Sequence, residues 1–247
     1  MMKNSMTLKQ KCLSGQSLVS LMLSISLSSF LLLVILQFYG QHQQQNREML
    51  LRLQLQTELQ RVIQLIGKDL ARAGFRAVSD KLTKDNLPLF EQPSQPSAIT
   101  IAQMNVEKSN SCVVFFYDLD VNGCVGGQYK GDSCLVNERN TTKEIERELF
   151  GYRLHQKMVE TRLTYKSAVK QNCSFEDCQR YTQQSACNHG GWVDLLDEKE
   201  YEISDLTFTW LAEQKGIEIR LIGNLKQHKK ISYETAIVVP LLNREES

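Results

Sequence analysis

The stretch CLSGQSLVSLMLSISLSSFLLLVILQFYG, residues 12–40, decides how the rest of the chain is interpreted. Residues 18–36 form an apolar run of nineteen residues without a charged side chain. As a helix with a rise of about 1.5 Å per residue, this run spans roughly 28 Å, close to the hydrocarbon core of a bilayer. It is longer than the roughly 7–15 apolar residues of a secretory signal, and no small-x-small cleavage site follows it. The sequence therefore predicts a transmembrane helix over residues 16–39.

The segment before this run is short and basic. Three lysines precede Gly15, and no acidic residue occurs before Glu48. This distribution of charge is typical of a segment that stays in the cytoplasm, so the residues after the run are expected on the other side of the membrane. Cleavage after Gly15 would remove residues 1–15 as a leader peptide and leave the membrane helix in the product. The alternative is a plain signal anchor that keeps its N-terminus.

The sequence GQSLV that begins at Gly15 resembles the class III signal of type IV pilins and type II secretion pseudopilins. In that family a prepilin peptidase cuts after the glycine and the new N-terminal residue is methylated. The resemblance implies cleavage after Gly15 and methylation of Gln16. Two positions depart from the family pattern, because Gln16 stands where phenylalanine is usual and Ser20 where glutamate is usual.

Residues 37–73 contain no proline and carry one apolar face at helical spacing. The face consists of Leu51, Leu55, Leu59, Val62, Ile66 and Leu70. Gly74 follows at the position where a helix C-cap is expected. The sequence predicts one helix from the membrane to Ala73, with residues 40–77 as the periplasmic part of the spine. The alternative is two helices with a flexible joint at the polar residues 41–45.

Residues 78–247 have the pattern of a β-rich head. Runs of strand length begin at Ala98, Ser111, Phe150, Tyr201, Gly216 and Ile231. Strands joined in sequence by short turns favour an antiparallel sheet. The predicted fold class is α+β, pilin-like, with a long N-terminal transmembrane helical spine followed by an antiparallel β-sheet head. Residues 79–97 hold three of the four prolines and are predicted to be a surface loop.

Cysteine usage indicates the compartment. Cleavage after Gly15 would remove Cys12 and leave six cysteines in the head, which are Cys112, Cys124, Cys134, Cys173, Cys178 and Cys187. An even number in an exported domain favours disulfides formed in an oxidising space such as a bacterial periplasm. The six form two clusters of three along the sequence, so at least one disulfide must join the clusters. The alternative is a zinc site made by the last three cysteines and His189.

Residues 118–123 read DLDVNG and match the first half of a calcium-binding loop. Asp118, Asp120 and Asn122 are the predicted ligands, because oxygen atoms at alternate positions before a glycine suit Ca²⁺. The second half of the loop does not match, since Tyr129 stands at the twelfth position in place of glutamate. The alternative is a tight turn in which Asn122 and Gly123 reverse a hairpin.

No catalytic site is predicted, and no organic cofactor. The four histidines are scattered, and the sequence contains neither a phosphate-binding glycine loop nor a nucleophilic serine motif. Glu144, Glu146 and Glu148 alternate and are interpreted as a solvated face. Twenty-nine basic and twenty-eight acidic residues give a net charge of +1, which provides no electrostatic footprint for direct binding of nucleic acid.

Four further stretches resemble, in order, the minor pilins called PilW and prepilin peptidase-dependent protein B. They are DLARAGF at 69–75, SCVVFFYDLDVNG at 111–123, ELFGYRLHQKMVET at 148–161 and CNHGGWVDLLDEKEYEISDLTF at 187–208. The resemblance spans nearly the whole chain and implies a J-like pseudopilin fold. It also implies a role in initiating or building a type IV pilus, often one linked to DNA uptake.

The partners implied by this resemblance are other minor pilins, the major pilin, the prepilin peptidase and the inner-membrane assembly platform. The implied location is the inner membrane, in a single pass with a cytoplasmic N-terminus and a periplasmic head, and then a pilus or pseudopilus. Ser20, in place of glutamate, favours a position at the tip; the alternative is that neighbouring pilins supply enough charge pairing and that Ser20 has no such role. Two alternatives stay open: the J-like component of a type II secretion system, and a signal-anchored periplasmic binding domain.

Overall fold

A computed structural model describes residues 17–78, 82–92, 98–127, 131–162 and 169–243 of the 247-residue chain. Helix α1 (Leu18–Leu70) is continuous and includes the polar residues 41–45. The prediction of one helix is therefore confirmed, and the alternative of two helices with a flexible joint is not. In the described part of the chain, α1 is the one helix long and apolar enough to cross a membrane.

The chain divides into two compact units, Met1–Leu50 and Leu51–Ser247. In the described part of the first unit, every large apolar side chain of the run is exposed. In the second unit, the remainder of α1 is followed by the β-rich part of the chain. The second unit thus begins well before residue 78, where the sequence pattern places the start of the head.

The described residues of the second unit contain ten β-strands and a short second helix, α2 (Phe175–Gln179). The strands are β1 (Ile99–Ala102), β2 (Cys112–Phe116), β3 (Leu135–Val136), β4 (Arg139–Asn140), β5 (Leu149–His155), β6 (Met158–Arg162), β7 (Trp192–Asp194), β8 (Tyr201–Trp210), β9 (Gly216–Leu225) and β10 (Ser232–Pro240). Each run of strand length identified in the sequence contains one or two of these strands.

These strands form antiparallel sheets, which confirms the predicted fold class. A five-stranded sheet has the order β1-β2-β5-β6-β7, a three-stranded sheet has the order β10-β9-β8, and β3 pairs with β4. Gln156 and Lys157 form the predicted turn between β5 and β6, with φ of 48° and 65°, as a type I′ hairpin requires. Pro240 ends β10 at the edge of its sheet, where a missing N–H is tolerated.

The core of the second unit is built on the last twenty residues of α1. Their fully buried side chains are Leu55, Leu59, Val62, Ile63, Ile66 and Leu70. These pack with core residues of both larger sheets, including Phe115, Phe208 and Ile219. Gly67 permits close packing on β10, because a Cβ atom there would lie 2.5 Å from Cδ1 of Ile237. The apolar face predicted at helical spacing is therefore the side of α1 that packs in the core of the head.

The chain after α1 turns back toward the five-stranded sheet. Gly74, the predicted cap residue, has φ of 75° and donates its N–H to the carbonyl oxygen of Phe116. The segment 79–97 is predicted to be a surface loop, but some of its described residues are buried. Leu87–Leu89 is a turn of 3₁₀ helix, and Leu87, Leu89 and Phe90 are buried in a second apolar cluster.

Candidate functional site

Three serine hydroxyl groups in the apolar run of α1 donate to backbone carbonyl oxygens of the preceding turn. Oγ of Ser24 donates to the carbonyl oxygen of Ser20 at 2.9 Å, and Oγ of Ser28 donates to that of Ser24 at 2.7 Å. Ser26 donates in the same way to Met22. A hydroxyl bonded to the preceding turn can lie in an apolar medium at little cost. The serines therefore do not prevent this segment from crossing a bilayer.

Loop 118–127, between β2 and β3, is organised first by a buried aspartate. Asp118 is 2% exposed, and its Oδ2 accepts the backbone N–H groups of Ala77 at 2.9 Å and Gly123 at 2.8 Å. Its Oδ1 accepts the N–H of Asn122 at 3.0 Å. One carboxylate thus joins the loop to the segment that follows α1.

Glu148, at the end of a 3₁₀ turn before β5, holds the same loop from the other side. It is 2% exposed, and its Oε1 accepts the N–H groups of Leu119 at 2.6 Å and Asp120 at 3.1 Å. Its Oε2 accepts the N–H of Gly126 at 2.7 Å. The interpretation of Glu148 as part of a solvated face is wrong, because its carboxylate is needed inside the fold to satisfy backbone donors.

The carboxyl groups of Asp118, Asp120 and Glu148 form one acidic group, with one oxygen atom of each within 4.8 Å of those of the others. Burial is the largest cause that raises the pKa of Glu148, to about 7, and the three N–H donors oppose this rise. Burial and the nearby Asp118 also raise the pKa of Asp120. Removing these groups from water and placing them close together therefore favours a proton, or a cation, among them.

Two of the three predicted calcium ligands, Asp118 and Asp120, belong to this acidic group. The third, Asn122, forms hydrogen bonds within the loop through its side-chain amide. Oδ1 of Asn122 accepts the N–H of Cys124 at 2.8 Å, and its Nδ2 donates to the carbonyl oxygen of Gly126 at 2.9 Å. Asn122 and Gly123 do not reverse a simple hairpin, because the residues after them continue as an irregular loop. Glu148, more than twenty residues later, supplies the third carboxylate.

All six head cysteines lie in described residues and are paired. The disulfides are Cys112–Cys187, Cys124–Cys134 and Cys173–Cys178. Cys112–Cys187 joins the two clusters of three cysteines. This agrees with the expectation that at least one disulfide links the clusters, because each contains an odd number of cysteines. The alternative of zinc bound by the last three cysteines and His189 is wrong, because each of those thiols is in a disulfide. Nδ1 of His189 instead lies 2.9 Å from the carbonyl oxygen of Ser185.

A buried ion pair holds the segment around Cys187 on the outer face of the five-stranded sheet. Arg153 on β5 donates from Nε to Glu160 on β6 and from Nη1 to the carbonyl oxygen of Cys187. Its guanidinium carbon lies 4.5 Å from the ring centroid of Trp192. Sequence reasoning missed this group, because its members are brought together only by strand pairing.

The family model for prepilin peptidase-dependent protein B matches residues 48–241. The chain belongs to the prepilin peptidase-dependent protein B family. An uncharacterized protein of Haemophilus influenzae is 56% identical over 236 residues, which are 94% of this chain and 98% of that protein. No solved structure matches the chain.

Members of the prepilin peptidase-dependent protein B family are pilin-like structural proteins, and this is not a known enzyme family. The chain therefore has a pilin-related role and a link to the pilus assembly machinery. The family match begins at residue 48, so the predicted leader and the apolar run lie outside it. Gly15 and Gln16, the predicted processing site, also lie outside the residues that the structure describes.

Calcium binding at the acidic group of this family member stays a prediction. We expect saturating Ca²⁺ to raise the Tm of the detergent-solubilised chain by about 5–10 °C over chelator, because a ligand present at about 100 times its Kd contributes about 2.7 kcal/mol. Asp120→Asn should abolish the shift, while Glu218→Gln, on the exposed face of β9, should leave it unchanged. Equal melting in calcium and chelator would identify the loop as a hydrogen-bonded turn only.

Proposed function

We propose that this protein is a minor pilin, or pseudopilin, that helps to initiate or assemble a type IV pilus or competence pseudopilus. One observation carries the proposal: a single helix contains both a charge-free run of membrane-spanning length and an apolar face packed in the core of the head. A signal anchor needs no such continuity, because a flexible linker would tether a binding domain equally well. Membership of the prepilin peptidase-dependent protein B family supports the same conclusion.

In this proposal the chain is inserted once in the inner membrane, with a cytoplasmic N-terminus and a periplasmic head. The prepilin peptidase removes residues 1–15, and Gln16 is methylated. The exposed apolar side chains of α1 then pass from contact with lipid to contact with the spines of other minor pilins and the major pilin, at the inner-membrane assembly platform. The net charge of +1 fits a protein that supports DNA uptake without binding DNA itself.

Ser20 supports a position at the tip. The resemblance to pilins implies that a glutamate at this position pairs with the N-terminal amine of an adjacent subunit, because an unpaired carboxylate in lipid is costly. Ser20 cannot form that ion pair. A subunit that lacks the glutamate is tolerated where no amine has to be neutralised, as at the leading end of a filament. We infer that few copies are present per filament and that the chain does not polymerise alone.

Deletion of the gene and immunogold labelling test this proposal together. We expect a deletion strain to carry few or no pili, and gold particles on wild-type filaments to lie singly at their ends. Ser20→Glu should add labelling along the shaft if the missing carboxylate limits incorporation, and Ser20→Thr is the matched control that keeps the hydroxyl. Unchanged pilus number in the deletion strain would contradict initiation, and wild-type labelling spaced along the shaft would contradict the tip position.

A further inference from the structure

The order of the disulfides along the chain is nested. The long bond, Cys112–Cys187, spans 75 residues and encloses the two short bonds, Cys124–Cys134 and Cys173–Cys178, which span 10 and 5 residues. A head that is oxidised while it crosses the membrane exposes its cysteines in sequence order. Pairing each thiol with the next to emerge would give Cys112–Cys124, Cys134–Cys173 and Cys178–Cys187. None of these pairs is native.

Loop-closure statistics favour the first of these errors over the long native bond and make it competitive with the native Cys124–Cys134 loop of 10 residues. Cys112 and Cys124 close a loop about 12 residues long, against 75 for the long bond. The probability of loop closure falls as roughly the 3/2 power of loop length, so the unfolded chain closes the short loop about 15 times more often. Cys187 also emerges 63 residues after Cys124. At roughly 5–20 residues per second, a Cys112–Cys124 bond therefore has about 3–13 s to form before Cys187 emerges.

A Cys112–Cys124 bond is incompatible with the sheet. Cys112 begins β2, and at roughly 3.4 Å per residue it lies about 14 Å from Phe116 at the other end of the strand. Val125, next to Cys124, packs in the apolar cluster of Phe116, whereas Cys112 packs in a different cluster. A disulfide requires Cα atoms within about 7 Å of each other. A chain with this error therefore cannot form β2, the neighbour of both β1 and β5.

The error must be corrected before the core closes. All six cysteines have a relative exposure of 0% in the folded head. Thiol–disulfide exchange requires a thiolate to reach a disulfide sulfur directly, and a buried bond offers no such access. Correction therefore has to occur on the unfolded or partly folded chain.

We propose that maturation of the head requires a thiol–disulfide isomerase in addition to a thiol oxidase. The oxidase forms each bond by accepting two electrons and two protons from two cysteine thiols into its own disulfide. The isomerase thiolate then attacks one sulfur of a mispair, forms a mixed disulfide and releases the other cysteine as a thiolate. A further cysteine displaces the isomerase, so the exchange consumes no oxidant. The inference rests on the proposed placement of the head in an oxidising compartment.

The test is to express the full chain in Gram-negative cells that contain the thiol oxidase, with and without their disulfide isomerase. Free thiols are trapped with an alkylating agent, and the linked peptides are mapped by mass spectrometry. We expect the fraction of chains with all three native bonds to fall about twofold or more without the isomerase, since Cys112 and Cys134 compete for Cys124 at loop lengths of about 12 and 10 residues. Equal native pairing in the two strains would overturn the proposal.

Three double variants make the test specific to the nested order. Cys112→Ser with Cys187→Ser leaves four cysteines whose order of emergence gives the native short bonds, so their pairing should not depend on the isomerase. Removing either short bond leaves a sequential order that is still wrong, and these two variants should stay dependent. If native pairing in all three variants depended equally on the isomerase, the proposal would be overturned. Mass-spectrometric mapping of the linked peptides identifies the cysteine pairs even in a variant that does not fold.

The two proposals fail in different ways. Six reduced head cysteines in oxidase-containing cells would contradict the placement of the head and, with it, the proposed function. If the cysteines were oxidised and natively paired in cells without the isomerase, the need for an isomerase would be contradicted, but the proposed function would not.

Discussion

Replacing Glu148 by alanine should lower the free energy of unfolding of the head by about 3–5 kcal/mol at pH 7.5. The variant leaves three backbone N–H groups, those of Leu119, Asp120 and Gly126, without their acceptor. The buried Gly126 donor left unsatisfied costs roughly 1–3 kcal/mol, and the two part-buried donors each lose a hydrogen bond to a charged acceptor, a cost that water entering the loop partly recovers. The effect should exceed that of any single exposed acidic residue in the chain.

The measurement is urea unfolding of the detergent-solubilised chain, followed by tryptophan fluorescence. Both tryptophans, Trp192 and Trp210, lie on strands of the head, so the signal reports on the unit in question. Glu218→Ala is the matched control, because Glu218 is exposed on β9, and it should change the free energy of unfolding by less than about 0.5 kcal/mol. A Glu148→Ala protein as stable as this control would show that the loop does not need the carboxylate.

The same side chain gives the head a pH dependence of known sign. The ordinary pKa of Glu148 is 4.5, and burial raises it to about 7 in the fold. The folded state therefore holds more protons than the unfolded state between these values. The contribution is fully present below pH 4.5 and is lost as the pH rises through about 7, by up to about 3 kcal/mol. With chelator present, unfolding curves from pH 5 to 8 should show this decline, and Glu148→Gln should remove it.

Replacing Gly15 by lysine should abolish processing of the chain. A peptidase that cuts after a small residue cannot place a long charged side chain at that position, whereas the apolar run that inserts in the membrane is unchanged. The mature N-terminus of protein from cells with active prepilin peptidase, read by mass spectrometry, should be methylated Gln16 in the unaltered chain and Met1 in Gly15→Lys. Gly15→Ala keeps a small residue and should still be processed.

Membrane fractionation provides the control for Gly15→Lys, since the unprocessed variant should remain in the membrane fraction. An intact leader on the unaltered chain would favour the signal-anchor alternative and would remove the basis for placing the chain in a filament.

The sequence predicts the elements of this fold that depend on local periodicity. The spacing of Leu55, Leu59 and Leu70 identified the buried face of α1, and alternation identified β8 and β9, because in both cases the core-facing residues are a few positions apart. The turn at Gln156 and Lys157 was predictable for the same reason. Its short loop joins two runs that are individually strand-like.

Interactions between distant residues were not predictable in this way. Glu148 is bound to donors 22–29 positions earlier, and its neighbours Glu144 and Glu146 carry the same charge, so nothing local separates it from a solvated face. Asn86 is a second example. Its side chain accepts the N–H of Val125 and donates to the carbonyl oxygen of the same residue, both at 2.7 Å, although a proline-rich stretch gave no indication of burial.

The continuity of α1 also has a mechanical consequence. The buried side chains of one helix face, from Leu55 to Leu70, share a core cluster with residues of both larger sheets, so tension applied along the helix is opposed by displacing these side chains from the core together. An anchor tied to the rim of a domain would instead detach one contact at a time, at a much lower force. If the chain acts in a filament, as proposed, a pull along α1 reaches the core of the head without first extending a linker.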